Sequence, residues 1–117
     1  MTLVTIQMKS LAEKRKELSQ TIALLVGSIR REKGCRRCDF CRSMEDENRL
    51  FLFEEWDTRE DVDRYLKSEG FKVFRGAMNL LQEPCEMVFH TVAGSHTLNG
   101  TEQNIVTVSL LPVYMCH

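Results

Sequence analysis

The chain has little net charge, no long apolar run and none of the common catalytic signatures, and each shortage excludes a class of function. Its 16 Lys and Arg nearly cancel 17 Asp and Glu. They are scattered rather than massed, so there is no basic footprint for DNA or RNA. The apolar runs fall far short of the roughly 18 residues of a membrane helix, and the N-terminus lacks the basic-then-apolar pattern of a secretory signal. A cytoplasmic protein without nucleic-acid or membrane partners is expected. In that reducing compartment the five cysteines, Cys35, Cys38, Cys41, Cys85 and Cys116, are expected as free thiols, and an odd number cannot all pair internally. Asn99-Gly100-Thr101 is then a chance glycosylation sequon. Gly-x-Gly-x-x-Gly, a phosphate loop, His-Glu-x-x-His and an arguable Ser-His-Asp spacing are all missing, as are internal repeats.

What is present is a sequence of short periodic segments. Val4, Ile6 and Met8 alternate with Leu3, Thr5 and Gln7, the pattern of a half-buried strand. Ser10-Leu11-Ala12-Glu13 reads as a capping box. It opens a long helix whose buried face is traced by Leu18, Ile22, Leu25 and Ile29, and Gly34 is expected to end that helix in the left-handed conformation. Cys35 to Cys41 and Arg49 to Trp56 form a hairpin across the polar loop Ser43 to Asn48. In its second arm Phe51 and Phe53 point one way while Leu50, Leu52 and Trp56 point the other, so both faces of the sheet need cover.

Asp57-Thr58-Arg59-Glu60 caps a short helix carrying Val62, Tyr65 and Leu66. Lys67-Ser68-Glu69-Gly70-Phe71 opens another carrying Phe71, Phe74, Met78 and Leu81, which Pro84 ends before a strand from Met87 to Val92. The order strand, helix, strand, strand, helix, strand predicts an α+β, ferredoxin-like βαββαβ antiparallel sheet with helices on one face. At 117 residues the chain is expected to be one domain, with 1–92 as its body and 93–117 as a loop-and-strand extension. Ile105 to Tyr114 is the added strand, pairing with the sheet edge or crossing to another subunit.

These residues resemble the antibiotic biosynthesis monooxygenase family of dimeric α+β barrel proteins, which includes quinol monooxygenase-like and haem-degrading members. The resemblance runs from about Val4 to Val92. It rests on the first strand and long helix closing in Gly34-Cys35, the arm ending Glu54-Glu55-Trp56, the signature Tyr65-Leu66-Lys67-Ser68, and Phe71 three residues later. It implies a homodimer packed sheet to sheet, with a pocket in each subunit between its sheet and its second and third helices. It also implies oxidation of a small aromatic substrate, quinol or phenol in type, by dioxygen with no flavin, metal or other cofactor. Tyr65 stands where many relatives carry histidine, and Leu52 where some carry asparagine.

Within that frame Trp56 is the leading catalytic and substrate-binding candidate, an apolar wall with one N–H to offer a quinone-like oxygen; core packing at a strand end is its other reading. Tyr65 could donate a hydrogen bond, or relay a proton if its pKa were lowered, and could equally be a core tyrosine. Phe71, Phe74 and Met78 would shape the substrate pocket, though stripes at helical spacing also make plain core. His90, the one histidine inside an expected strand, is the candidate general base, or else a surface-facing strand residue. His96 falls in a loop and His117 is the last residue, and the missing helix histidine weighs against haem ligation.

Cys35-x-x-Cys38-x-x-Cys41 could suggest a metal or redox site, with Cys85 or Cys116 as a fourth ligand. On a regular strand Cys35 and Cys41 would share a face ~20 Å apart with Cys38 opposite, so no metal is expected. Arg36, Arg37 and Arg42 could lower a thiol pKa. A non-catalytic dimeric protein binding a small apolar ligand is the alternative to an enzyme, and a cysteine-based metal or redox protein is the third reading.

Overall fold

The computed structural model describes residues 1–94 in full and the backbone of 107–116. β1 (Thr2–Lys9) alternates without a fault: Thr2, Val4, Ile6 and Met8 are buried, and the residues between them half-buried. It lies between β3 (Arg49–Trp56) and β4 (Cys85–Gly94), with β2 (Cys35–Arg42) outside β3 and β5 (Thr107–Cys116) outside β4. All four pairings are antiparallel. The first four strands and the helices form the expected α+β ferredoxin-like fold. The added strand pairs with β4 along that edge, Cys85 opposite Cys116. β4 begins two residues earlier and ends two later than its apolar pattern predicts.

α1 (Arg15–Arg30), α2 (Arg59–Leu66) and α3 (Glu69–Ala77) cover one face of the sheet. The capping box is not used. Ser10 is fully buried: its amide donates to the Asn48 carbonyl at 2.8 Å, it bridges to Leu81, and its hydroxyl donates to the Leu11 carbonyl. Sheet pairing thus claims Ser10, and a 3-10 turn over Ala12–Lys14 leads into α1 without a side-chain cap. The buried stripe of α1 is Leu18, Ile22, Val26 and Ile29, with Leu25 only packed at its edge. α2 and α3 are capped as the sequence predicts: Thr58 accepts from the Asp61 amide at 3.1 Å, and Ser68 from that of Phe71 at 3.2 Å. Among the described residues no helix is long and apolar enough to cross a membrane. His96, His117, the sequon at Asn99 and the start of the tail at Ile105 lie outside the described residues.

Gly34 does adopt a positive φ of 86°, but it is not the cap of α1. The helix closes earlier, on 3-10 bonds from Arg31 to Ser28 and from Glu32 to Ile29. Gly34 instead turns the chain into β2, and its carbonyl accepts from the Asp57 amide at 2.8 Å, which ties the start of β2 to the end of β3. A Cβ here would run into the Asp61 side chain. Gly34→Ala should therefore cost about 2 kcal/mol or more, whereas Gly27→Ala, whose Cβ would meet only the Arg31 side chain at 4.0 Å, should gain up to about 1 kcal/mol of helix propensity. Urea unfolding midpoints of the two variants check this contrast.

Candidate functional site

Period two on β3 sends Leu50, Leu52, Glu54 and Trp56 to the helix-covered face and Phe51, Phe53 and Glu55 to the other. Trp56, at the strand's end, is completely buried. Its ring stacks on Tyr65 of α2 with centroids 5.2 Å apart. Tyr65 meets the edge of Phe71 at 5.5 Å, and Phe71 stacks on Phe74 at 5.8 Å. Met78 is buried in the same layer. The five residues expected to wall a pocket between the sheet and α2 and α3 thus do come together, but as a closed stack.

Three cavities among the described residues lie away from this stack. One of about 330 Å³ opens beside Leu3, Thr5, Arg37, Cys41 and Phe53, and another of about 230 Å³ beside Gln7, Phe51, Phe53 and Val88, both on the uncovered face. A third, of about 310 Å³, adjoins Lys9, Arg49, Glu83 and Glu86.

The indole N–H is not free for a substrate. It donates to Glu54 Oε1 at 2.9 Å, because both residues point inward from one strand two positions apart. Glu54 is 3 % exposed, and its Oε2 is buried with no hydrogen-bond partner among the described residues. Removal from water pushes its pKa from 4.5 up to about 7, against a smaller lowering by the indole hydrogen bond. Glu54 is the buried titratable residue that the sequence reading missed. The signal was available: it is the one charged residue within the inward apolar series Leu50, Leu52, Trp56.

Two expectations for proton handling are corrected. Tyr65 is buried, and burial first, then the negative charge of Glu54, hold its hydroxyl above the ordinary tyrosine range, so it keeps its proton and is not the relay expected of a lowered pKa. His90 faces the uncovered side of β4, opposite Leu3, with Nε2 3.5 Å from Thr5 Oγ1. The sheet itself separates it from Trp56 and Tyr65, and within one protomer it cannot serve them as a base.

The cysteines are corrected as well. A bulge between Cys35 and Arg37 sets Cys35 opposite Trp56 and Cys38 opposite Glu54, so Cys35 and Cys38 share the inner face. Cys41, opposite Phe51, is exposed on the outer one. The neighbouring arginines do not activate the inner thiols. Desolvation, followed by the charge of Glu54, pushes Cys35 up to about 11 and Cys38 to about 12. Arg30 instead spends two donors on the Cys38 carbonyl, and Arg37 pairs with Asp39.

A family model for antibiotic biosynthesis monooxygenase matches residues 1–77, from β1 through α3. Solved structures of similar architecture include a protein of Nitrosomonas europaea assigned to the antibiotic biosynthesis monooxygenases, with TM-score 0.72 and 21 % identity over 76 % of this chain and 95 % of that one. Another, from Deinococcus radiodurans and with the same assignment, has TM-score 0.78 and 16 % identity over 86 % of this chain and all of that one. At such identities the likeness is one of fold. A Haloquadratum walsbyi protein named for heme binding is 32 % identical over 60 residues, 51 % of this chain and 11 % of that protein. The match therefore spans about a tenth of that relative's length.

Glu54 gives the fold a pH dependence with a definite sign. A carboxyl whose folded pKa is raised holds its proton longer in the native state, so the stability it contributes is full below about 4.5, falls as pH rises, and is lost above about 7. The shift corresponds to roughly 3 kcal/mol at most. Unfolding free energies at pH 5 and pH 8 should show the wild type weaker at pH 8, and Glu54→Gln should flatten the difference. A wild type equally stable at both values would contradict the assignment.

Proposed function

Because the chain belongs to the antibiotic biosynthesis monooxygenase family, we propose that it is a cofactor-independent monooxygenase that oxidises a small electron-rich aromatic, of quinol or phenol type, with dioxygen. The observation that carries this reading is the buried ring layer Trp56, Tyr65, Phe71 and Phe74 packed beside a buried carboxyl. Flat apolar walls suit a planar substrate, and a dry surrounding favours charge rearrangement over leakage to water. Triplet oxygen reacts slowly with closed-shell organic molecules. A deprotonated aromatic can supply the electrons itself, so the protein needs to bind, orient, remove a proton and exclude water. One oxygen atom enters the product and the other leaves as water.

Oxygen uptake in the presence of a hydroquinone panel tests the reading directly, and a protein that binds these compounds without consuming oxygen would be a ligand-binding module instead. Trp56→Phe retains most of the ring wall but strips Glu54 of its hydrogen-bond partner among the described residues. It should lower turnover at least ~10-fold and cost about 1–3 kcal/mol of stability.

The working unit on this reading is a homodimer formed through the uncovered sheet face. That face carries the stacked pair Phe51 and Phe53, ring centroids 5.9 Å apart, and Phe53 is 41 % exposed, an apolar patch that a second copy would shield. Light scattering at micromolar concentration should give a dimeric mass for the wild type and a monomeric one for Phe53→Asp. A monomeric wild type would remove this part of the reading.

A further inference from the structure

Glu54 carries more than a share of the dry surroundings. Its two oxygens differ: Oε1 is fixed by the Trp56 N–H at 2.9 Å, and Oε2, equally buried, has no partner among the described residues. Burying an acceptor and leaving it unmet is costly, and such a group is well suited to a donor that arrives with the substrate. Resting on the oxidation reading above, we propose that Glu54 is the catalytic residue that receives the substrate's hydroxyl proton on Oε2, with Trp56 the positioning residue that aims the carboxylate through Oε1.

In the step itself the substrate O–H bond breaks with its electron pair left on oxygen, and an O–H bond forms on Oε2. The aryloxide then passes one electron to dioxygen, giving an aryloxyl radical and superoxide, while the proton stays on Glu54. Desolvation supports the role, because a carboxyl raised to about 7 is a better match to a phenol of pKa about 10 than an ordinary carboxylate is.

The titratable and charged groups around Glu54 leave it alone in this window. Cys35 and Cys38 on β2 and Tyr65 on α2 are all pushed up and stay protonated. Arg30 at the end of α1 and Glu32 just beyond it act on this cluster with opposite signs. β1 presents only Val4 opposite Glu54. Phe71, in the first turn of α3, is the most exposed of the four stacked rings, at 5 %.

The test uses 1,4-naphthohydroquinone and its dimethyl ether, which keeps the shape and loses both hydroxyl protons. Under nitrogen at pH 8, with binding read from Trp56 fluorescence, the wild type should prefer the hydroquinone at least ~10-fold, and Glu54→Gln should bind the two alike. In air the same variant should lose ~100-fold or more in kcat, the usual size of a general-base contribution. Hydroquinone preference without oxygen uptake would retire the oxidation reading while supporting Oε2 as the hydroxyl acceptor. Oxygen uptake undiminished in Glu54→Gln would keep oxidation and overturn this assignment. Should the variant fail to fold, the wild-type pH profile decides: kcat/KM should rise to a plateau with a midpoint near 7, and a flat profile from pH 5.5 to 9 would overturn the proposal.

Discussion

One geometric constraint governs this molecule: helices cover a single face of an antiparallel sheet whose central strand, β1, is paired on both sides. Side chains along each strand alternate between the two faces, so every residue is committed by its parity either to the layer under α1, α2 and α3 or to the bare side. Trp56 and Glu54 fall under the helices and His90 does not. The division also explains the two kinds of apolar surface. Leu50, Leu52, Phe74 and Met87 are buried within the chain, whereas Phe51 and Phe53 stack on each other on the bare side, where Phe53 stays 41 % exposed.

Much of that division can be read from the residues. The alternation in Leu3 to Met8 and in Leu50 to Trp56 gives the strands and their inner faces, and Thr58 and Ser68 announce their helices because a hydroxyl at that place has orphan amides to satisfy. The tail strand was visible in its β-prone run, and its pairing edge was one of two possibilities left open. What could not be read were features set by tertiary pairing. Ser10 is a good cap in isolation, yet its amide is taken by Asn48 and its backbone by Leu81. The bulge after Cys35 depends on register with β3, which no local pattern reveals, and it reverses the face expected for Cys38 relative to Cys35.

The site was legible in part for the same reason. Ring residues at helical spacing identified the layer, but spacing does not distinguish an open pocket from a stack in which each ring fills its neighbour's space. Glu54 was overlooked because carboxylates on strands usually face water. Its burial beside Trp56 makes the indole a hydrogen-bond donor to the protein itself, so the residue first identified as the substrate's partner instead orients a different one. The energetic logic is coherent: a lone carboxyl in an apolar layer is tolerated when one oxygen is bonded and the group can be neutral near physiological pH.

The bulge between Cys35 and Arg37 has a consequence for how this chain can change length. In a regular strand, removing or adding one residue turns every side chain beyond it to the opposite face, which here would push Phe40 or Cys38 toward water and Asp39 into the core. The bulge is the place where a surplus residue is already absorbed between two aligned positions, Trp56 and Glu55 on β3. Single-residue variation in β2 can therefore be accommodated at Arg36 without disturbing the strand's reading frame, and nowhere else along its paired run from Arg37 to Arg42.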